Sequence, residues 1–273
     1  MYPELFKIGP IAIRSYGVML AVSFILGILY VYRQSRKDNR DFTDLLTLAY
    51  VMIIAGVLGA RLFYVLFHLE EFSGHWLDTI NPFQSDRIGI AGLNLYGGVV
   101  LAVICSYVFL RIKKISVLAT FDLFAPTIGL GLLFTRIGCF LNGCCFGTPC
   151  NLPWCVHFPP GSIPDYIFPG ACIHPAQLYS SLYGLLLFVF LHWRLHRRHF
   201  DGEIVAWLFM IEAVFRYAIE YVRYYENAMH FHLLGMYPTW NQIISISLFV
   251  LGLGIYIIQR KRTMGKPHSV NET

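Results

Sequence analysis

Apolar residues come in seven blocks, each near the ~20 residues that a helix needs to cross hydrocarbon. They run Tyr16–Tyr32, Leu45–Phe67, Gly92–Leu110, Leu118–Thr135, Ala176–His192, Ile204–Val222 and Trp240–Ile258. Blocks of this length predict membrane helices. The fourth is the weakest: it holds Asp122 and Pro126, and the missing amide donor of Pro126 predicts a kink. The stretch Gly138–Pro175, rich in Pro and Cys, predicts an irregular outer cap. The loop Leu69–Ala91 is shorter, and an interfacial helix is expected in it. With no soluble domain, repeat or low-complexity tract, the pattern predicts an all-α membrane protein of seven transmembrane helices. Residues 1–273 are expected to form a single integral-membrane domain.

Composition agrees. The 273 residues are 56% hydrophobic and 14% charged, against about 25% charged in soluble domains, and mean hydropathy is +0.57. The net charge of +5 does not indicate nucleic acid, which requires a basic, solvated face. Instead the charges mark topology. Arg33, Arg36, Lys37 and Arg40 follow block one, and Arg111, Lys113 and Lys114 follow block three. Arg194, Arg197 and Arg198 follow block five, and Arg260, Lys261, Arg262 and Lys266 follow block seven. Seven spans place these bursts on one side, which the positive-inside rule makes cytoplasmic. The N-terminus is then outside and the C-terminus inside. No cleavable signal peptide is expected, because the start is not basic and no A-x-A site follows block one.

The other arginines carry the candidate chemistry. Arg61 lies toward the outer end of block two, Arg136 just past the outer end of block four, and Arg216 and Arg223 in the outer half of block six. Burying an arginine in a span costs at least ~2.5–3.5 kcal/mol, so it faces a polar cavity or a partner. Arg136 belongs to FTRIGCFLNGCCFG, Phe134–Gly147. There a guanidinium, the Asn142 amide and backbone amides freed by Gly138, Gly143 and Gly147 suit a phosphate-bearing ligand. In block six Glu212, Arg216, Glu220 and Arg223 are spaced to share one helical face with alternating charge. That ladder either holds helices together or fixes an arginine aimed at an anion.

Gly97 and Gly98, after Tyr96, permit close approach of a backbone or ligand at a helix start. Tyr96 is either an interfacial anchor or a base whose phenolate nearby cations favour. His174 before Pro175, and Gln177 and Tyr179 after it, open block five, and Arg14, Ser15 and Tyr16 share their outer depth. Cys139, Cys144, Cys145, Cys150, Cys155 and Cys172 are all outer, where disulfides persist. One or two disulfides are expected; zinc lacks the support of a paired CxxC spacing. Cys139, three residues from Arg136, is the cysteine to test as a nucleophile.

These pieces resemble the prolipoprotein diacylglyceryl transferase family across nearly the whole chain. The matching stretches are IRSYG (Ile13–Gly17), GARLFYVLF (Gly59–Phe67), YGG (Tyr96–Gly98), RIGCFLNGCCFG (Arg136–Gly147), HPAQLY (His174–Tyr179) and FRYAIEYVR (Phe215–Arg223). The resemblance implies a multi-pass enzyme of the bacterial inner membrane. Such an enzyme moves a diacylglyceryl group from phosphatidylglycerol to the lipobox cysteine of a prolipoprotein signal peptide, leaving glycerol phosphate. It implies that Arg136 holds the lipid phosphate with Asn142 and Gly147 beside it. It makes Arg216 and Glu220 essential, and gives Tyr16 a role in the site. Tyr96, with Glu220, would remove the acceptor thiol's proton, and Arg61, Gly97, Gly98, His174, Gln177 and Arg223 complete the expected substrate-binding set. The partners are the lipid, the lipobox segment and the bilayer; no cofactor or metal is implied. Many family members carry His where this chain has Tyr96, Asn and Glu where it has Cys139 and Cys144, and Tyr where it has Glu212. The alternative is an inactive phospholipid-binding or transport protein of the same fold.

Overall fold

The structure, a computed structural model, describes residues 1–8, 11–72, 83–84, 87–88, 94–225 and 239–264. Lys266 and most of the Leu69–Ala91 loop, with the helix expected there, lie outside the described residues. The described chain is mostly helical and divides into two compact units, one of residues 1–30 and 118–273 and the other of residues 31–117.

The first unit opens with an antiparallel hairpin, β1 (Glu4–Ile8) and β2 (Ile11–Arg14). It leads directly into α1 (Ser15–Lys37), whose last residues belong to the second unit. In the second unit α2 (Phe42–Phe67) packs along α3 (Leu95–Ile112). Between them the described chain contains a 3-10 turn, Leu69–Phe72, and the paired strands β3 (Phe83–Gln84) and β4 (Arg87–Ile88).

The first unit continues with α4 (Val117–Asn142), which runs on through Pro126. The cap that follows holds β5 (Val156–His157), the short α5 (Ile163–Ile167) and β6 (Cys172–Ile173), with β5 and β6 antiparallel. It is irregular, as the sequence predicts, yet it has a core of its own. Phe146, Phe158 and Ile173 are buried there, with Met1, Phe140, Phe168 and Tyr224 packed against them. Its staple is the Cys150–Cys155 disulfide. Three long helices complete the unit: α6 (Ala176–Leu195), α7 (Glu203–Ile219) and α8 (Trp240–Met264). Ala125 of α4, Leu187, Leu191 and Leu195 of α6, and Ile204, Val205 and Leu208 of α7 form the main apolar core.

Among the described residues, six helices (α1, α2, α3, α4, α6 and α8) are long and apolar enough to cross a membrane. Large apolar side chains such as Leu58, Leu186 and Val250 remain exposed on them, as on helices facing lipid rather than water. The sixth apolar block becomes α7, at 17 residues the shortest of the long helices.

Asp122, the acid that weakens the fourth apolar block, has a structural assignment. It is fully buried and accepts hydrogen bonds from the backbone N–H groups of Gly202 (2.7 Å), Ile204 (3.0 Å) and Val205 (3.0 Å). Gly202, which precedes α7, has no side chain to cap it. A carboxylate from α4 therefore satisfies the orphan donors of α7 and meets the positive end of its dipole. Arg198 lies 3.8 Å from the same carboxylate, and Arg194 pairs with buried Glu203.

Candidate active site

Two expectations for the arginine motif change on folding. The chain was expected to leave its helix before Arg136, but α4 continues to Asn142, because Ile137, Phe140 and Leu141 keep an apolar helical face going. Gly138 is therefore helical and frees no amide. The helix stops at Gly143, whose φ of +74° is costly for any residue with a Cβ.

Arg136, on the last turns of α4, is half-buried. Among the described residues no hydrogen bond or ion pair engages its guanidinium. It lies within electrostatic reach of Tyr16, Cys145 and Glu212. Glu212 is in turn influenced by Arg216, Arg216 and Arg223 both act on Tyr225, and Arg223 acts on Cys145. Residues from α1, α4, the cap and α7 thus share one electrostatic neighbourhood.

The acid–base ladder in block six is only partly a ladder. Arg216 Nη2 sits 3.1 Å from Glu220 Oε1 and donates to the Tyr225 hydroxyl at 2.8 Å. Tyr225 donates to Glu220 Oε1 at 2.7 Å, and Thr239 Oγ1 donates to Oε2 at 2.9 Å. Both Glu220 oxygens are engaged, and the residue is buried. Burial pushes the Tyr225 phenol up to about 12. Glu212 instead accepts from Tyr183 at 2.8 Å, whose ring stacks on Phe215. Arg223 does not share the helical face, because α7 ends at Ile219. Its backbone bridges to Gly147, its guanidinium lies over the Tyr225 ring at 4.9 Å, and its buried Nε has no hydrogen-bond partner among the described residues.

Gly147 is where three of the matching stretches meet. Its N–H donates to the His174 carbonyl (3.1 Å), His174 N–H to Thr148 (3.0 Å), and Thr148 N–H to Val222 (2.9 Å). A Cβ on Gly147 would lie 2.6 Å from the Val222 oxygen and 2.7 Å from the His174 oxygen. Gln177 Nε2 donates to the Cys144 carbonyl at 2.9 Å. His174 Nδ1 is 3.2 Å from the Tyr179 hydroxyl, which also accepts from Trp154 at 2.8 Å. Asn142 ends α4 and hydrogen-bonds the Cys144 side chain. The Cys145 thiol is held below its usual range by hydrogen bonds with Cys139 and Cys144, with Arg223 and Arg136 acting the same way against burial.

In the second unit Asn94 caps α3, accepting from the N–H groups of Tyr96 (3.0 Å) and Gly97 (3.3 Å). Gly97 and Gly98 serve the α2–α3 contact: added Cβ atoms would lie 2.6 Å from the Gly59 oxygen and 2.7 Å from the Gly56 oxygen. Tyr96 is about half exposed at this helix start, and Arg61 lies over the Tyr64 ring at 5.7 Å.

The sequence model of the prolipoprotein diacylglyceryl transferase family matches residues 3–258. The chain belongs to this family. Among similar proteins, a phosphatidylglycerol–prolipoprotein diacylglyceryl transferase of Bordetella avium (strain 197N) is 31% identical, with 97% of each chain aligned. Proteins of the same name from Pseudoalteromonas translucida (strain TAC 125) and Clostridium tetani (strain Massachusetts / E88) are each 30% identical. The first alignment covers 97% of this chain and 95% of the relative, the second 96% and 99%.

Tyr183, Tyr225 and Thr239 belong to this network and escaped the sequence reading. Tyr183 carries a readable signal, one helical turn beyond Tyr179. Tyr225 and Thr239 lie off α7, where no spacing rule reaches them.

Proposed function

We propose that the protein transfers a diacylglyceryl group from phosphatidylglycerol to the lipobox cysteine thiol of a prolipoprotein, releasing glycerol phosphate. The observation that carries this reading is the half-buried Arg136 guanidinium, with no hydrogen-bonded or ion-paired partner among the described residues, which acts on Glu212 together with an Arg216 held by Glu220 and Tyr225. Charge grows on the departing phosphate as the thiol attacks. Preset guanidinium donors stabilise that charge without reorganising.

In this reading Arg136 grips the phosphate with Asn142 beside it, and Arg216 and Arg223 complete the anion site. Glu220, with both oxygens engaged, acts through Arg216 as a positioning residue. Tyr96 takes the acceptor thiol's proton, since the thiolate is the nucleophile. Tyr16, Arg61, Gly97, Gly98, Gly147, His174 and Gln177 shape the lipid and lipobox sites. Residues 1–273 work as a single integral-membrane domain with seven spans. The 17 residues of α7 reach about 25 Å, at the short end of spanning length. The N-terminus lies outside and the C-terminus in the cytoplasm of a bacterial inner membrane. The Asp122–Arg198 end of α7 then faces the cytoplasm, and Arg216 the outer leaflet.

The test is transfer of labelled glyceryl lipid to a lipobox peptide by purified protein, with Arg136→Ala, Arg216→Ala and Tyr96→Phe alongside. Each variant is expected to lose most turnover. Wild-type rates in both arginine variants would remove the basis of the assignment.

A further inference from the structure

Cys139, Cys144 and Cys145 are not needed by the transfer chemistry above, yet folding brings their Sγ atoms within 4.8 Å of one another. Cys139 is buried near the end of α4, and the other two follow the Gly143 turn. Cys145 holds φ at +60°, a left-handed backbone that a non-glycine residue keeps only where its surroundings impose it. All three are free thiols.

We propose that these three thiols form a binding site for a thiophilic divalent cation, specifically Zn²⁺. Tetrahedral zinc with ~2.3 Å bonds to sulfur sets its sulfurs about 3.8 Å apart. Closing from 4.8 Å requires side-chain shifts of about 1 Å at most on that geometry. Sulfur ligands exclude the hard cations, which demand oxygen. Binding forms three zinc–sulfur bonds and releases three thiol protons to solvent; no electrons are exchanged.

The charge balance favours the site. Three thiolates and one Zn²⁺ leave a single negative charge, and Arg136 and Arg223 both lie within electrostatic reach of Cys145. The buried Arg223 Nε, unpartnered among the described residues, is a donor suited to an anionic thiolate. Three protein ligands leave the fourth coordination position to an exogenous ligand. Gln177 is bound to the Cys144 carbonyl through Nε2, and its buried Oε1 has no partner among the described residues. That oxygen is a ready acceptor for a zinc-bound water. The sequence lacks a paired CxxC, so spacing alone hides the site. The helix stop at Gly143 folds a C-x4-C-C run back on itself and supplies the missing proximity.

Arg136, Arg223 and Gln177 also serve the transferase reading, but the test needs no activity, so its failure is distinct from a failure of that reading. Purified full-length protein with the Cys150–Cys155 disulfide intact is titrated with Co²⁺, the spectroscopic stand-in for Zn²⁺. One Co²⁺ per chain, with thiolate-to-cobalt charge-transfer and tetrahedral ligand-field bands displaced by Zn²⁺, is the expected result. Cys145→Ser weakens binding at least about tenfold, the scale on which a lost zinc-site contact acts; Cys172→Ser does not. A second readout uses the wild-type protein alone: Zn²⁺ protects Cys139, Cys144 and Cys145, but not Cys172, from maleimide alkylation. Absent charge transfer, equal protection of Cys172, or a disulfide within the triad of the purified protein overturns the proposal.

Discussion

Arg216 donates to the Tyr225 hydroxyl at 2.8 Å, and the same hydroxyl donates onward to Glu220 at 2.7 Å. A phenol six residues beyond the end of α7 thus closes a triangle with an ion pair inside it. Tyr225→Phe keeps the ring under Arg223 and removes both bonds. Hydrogen bonds to charged groups contribute about 1.5–3 kcal/mol, so a loss of transfer rate of roughly tenfold or more is expected. Steady-state transfer at varied phosphatidylglycerol checks this. A fall in kcat with the fold retained is the signature of a misaimed Arg216.

The same phenol predicts an alkaline limit. Burial is the main cause of its rise to about 12, with Glu220 adding and Arg216 and Arg223 opposing, whereas in the unfolded chain it ionises near ~10. The raised value favours the protonated folded state. Its contribution to stability is therefore complete below pH ~10 and is lost as pH climbs from there toward about 12. Thermal melts of wild type and Tyr225→Phe across that range should converge as pH rises, with a constant gap below it.

Arg136 separates function from stability. It has no hydrogen bond or ion pair among the described residues, so Arg136→Ala should change stability by less than about 0.5 kcal/mol. Turnover should nevertheless fall by about 100-fold or more, as when a preset oxyanion donor is removed. Melting temperature and labelled-lipid transfer, measured on one preparation, test both halves. A large drop in melting temperature would mean that the guanidinium serves the fold instead.

The helices and the arginine motif were legible in the sequence because lipid imposes a coarse, strong constraint: about 20 apolar residues or no span. The limits of that legibility appear at particular residues. Arg136 reads as past a helix end because the fourth apolar block stops at Thr135, yet Ile137, Phe140 and Leu141 carry the helix on to Asn142. Arg223 was assigned to the face of Arg216 because a spacing rule assumes that the helix continues, and α7 stops at Ile219. Asp122 read as an unexplained acid because its partners, the amides of Gly202, Ile204 and Val205, lie some eighty residues away. Periodicity reports on neighbours within an element and carries no information on contacts between elements.

Gly147→Ala tests the meeting of the arginine motif, the His174 turn and the end of block six. The added methyl would meet two carbonyl oxygens, of Val222 and His174, at 2.6 and 2.7 Å. Both oxygens accept hydrogen bonds from this same crossing, so neither can move aside alone. Overpacking of this kind costs about 1–3 kcal/mol or more. A lowered melting temperature in detergent is expected, together with reduced transfer, because displacement of Val222 also shifts Arg223. Unchanged melting would show that the crossing is loose enough to take a methyl.

Asp122→Asn addresses the opposite end of α7. The carboxylate accepts from three backbone N–H groups at the positive pole of a helix dipole, inside the fold. An amide offers one acceptor oxygen in place of two, carries no charge for the dipole or for Arg198, and turns an N–H₂ group toward an N–H. Leaving buried donors unsatisfied costs about 1–3 kcal/mol per group, so a loss of roughly 2–4 kcal/mol is expected. Arg216 is thirteen residues along the helix from Glu203, about 20 Å at 1.5 Å per residue. The damage should therefore be confined to stability. Melting temperature should fall while transfer per folded molecule, measured well below the melt, stays near wild type. A matching loss of specific activity would mean that the two ends of α7 are coupled and that the Asp122 cap sets the position of Arg216.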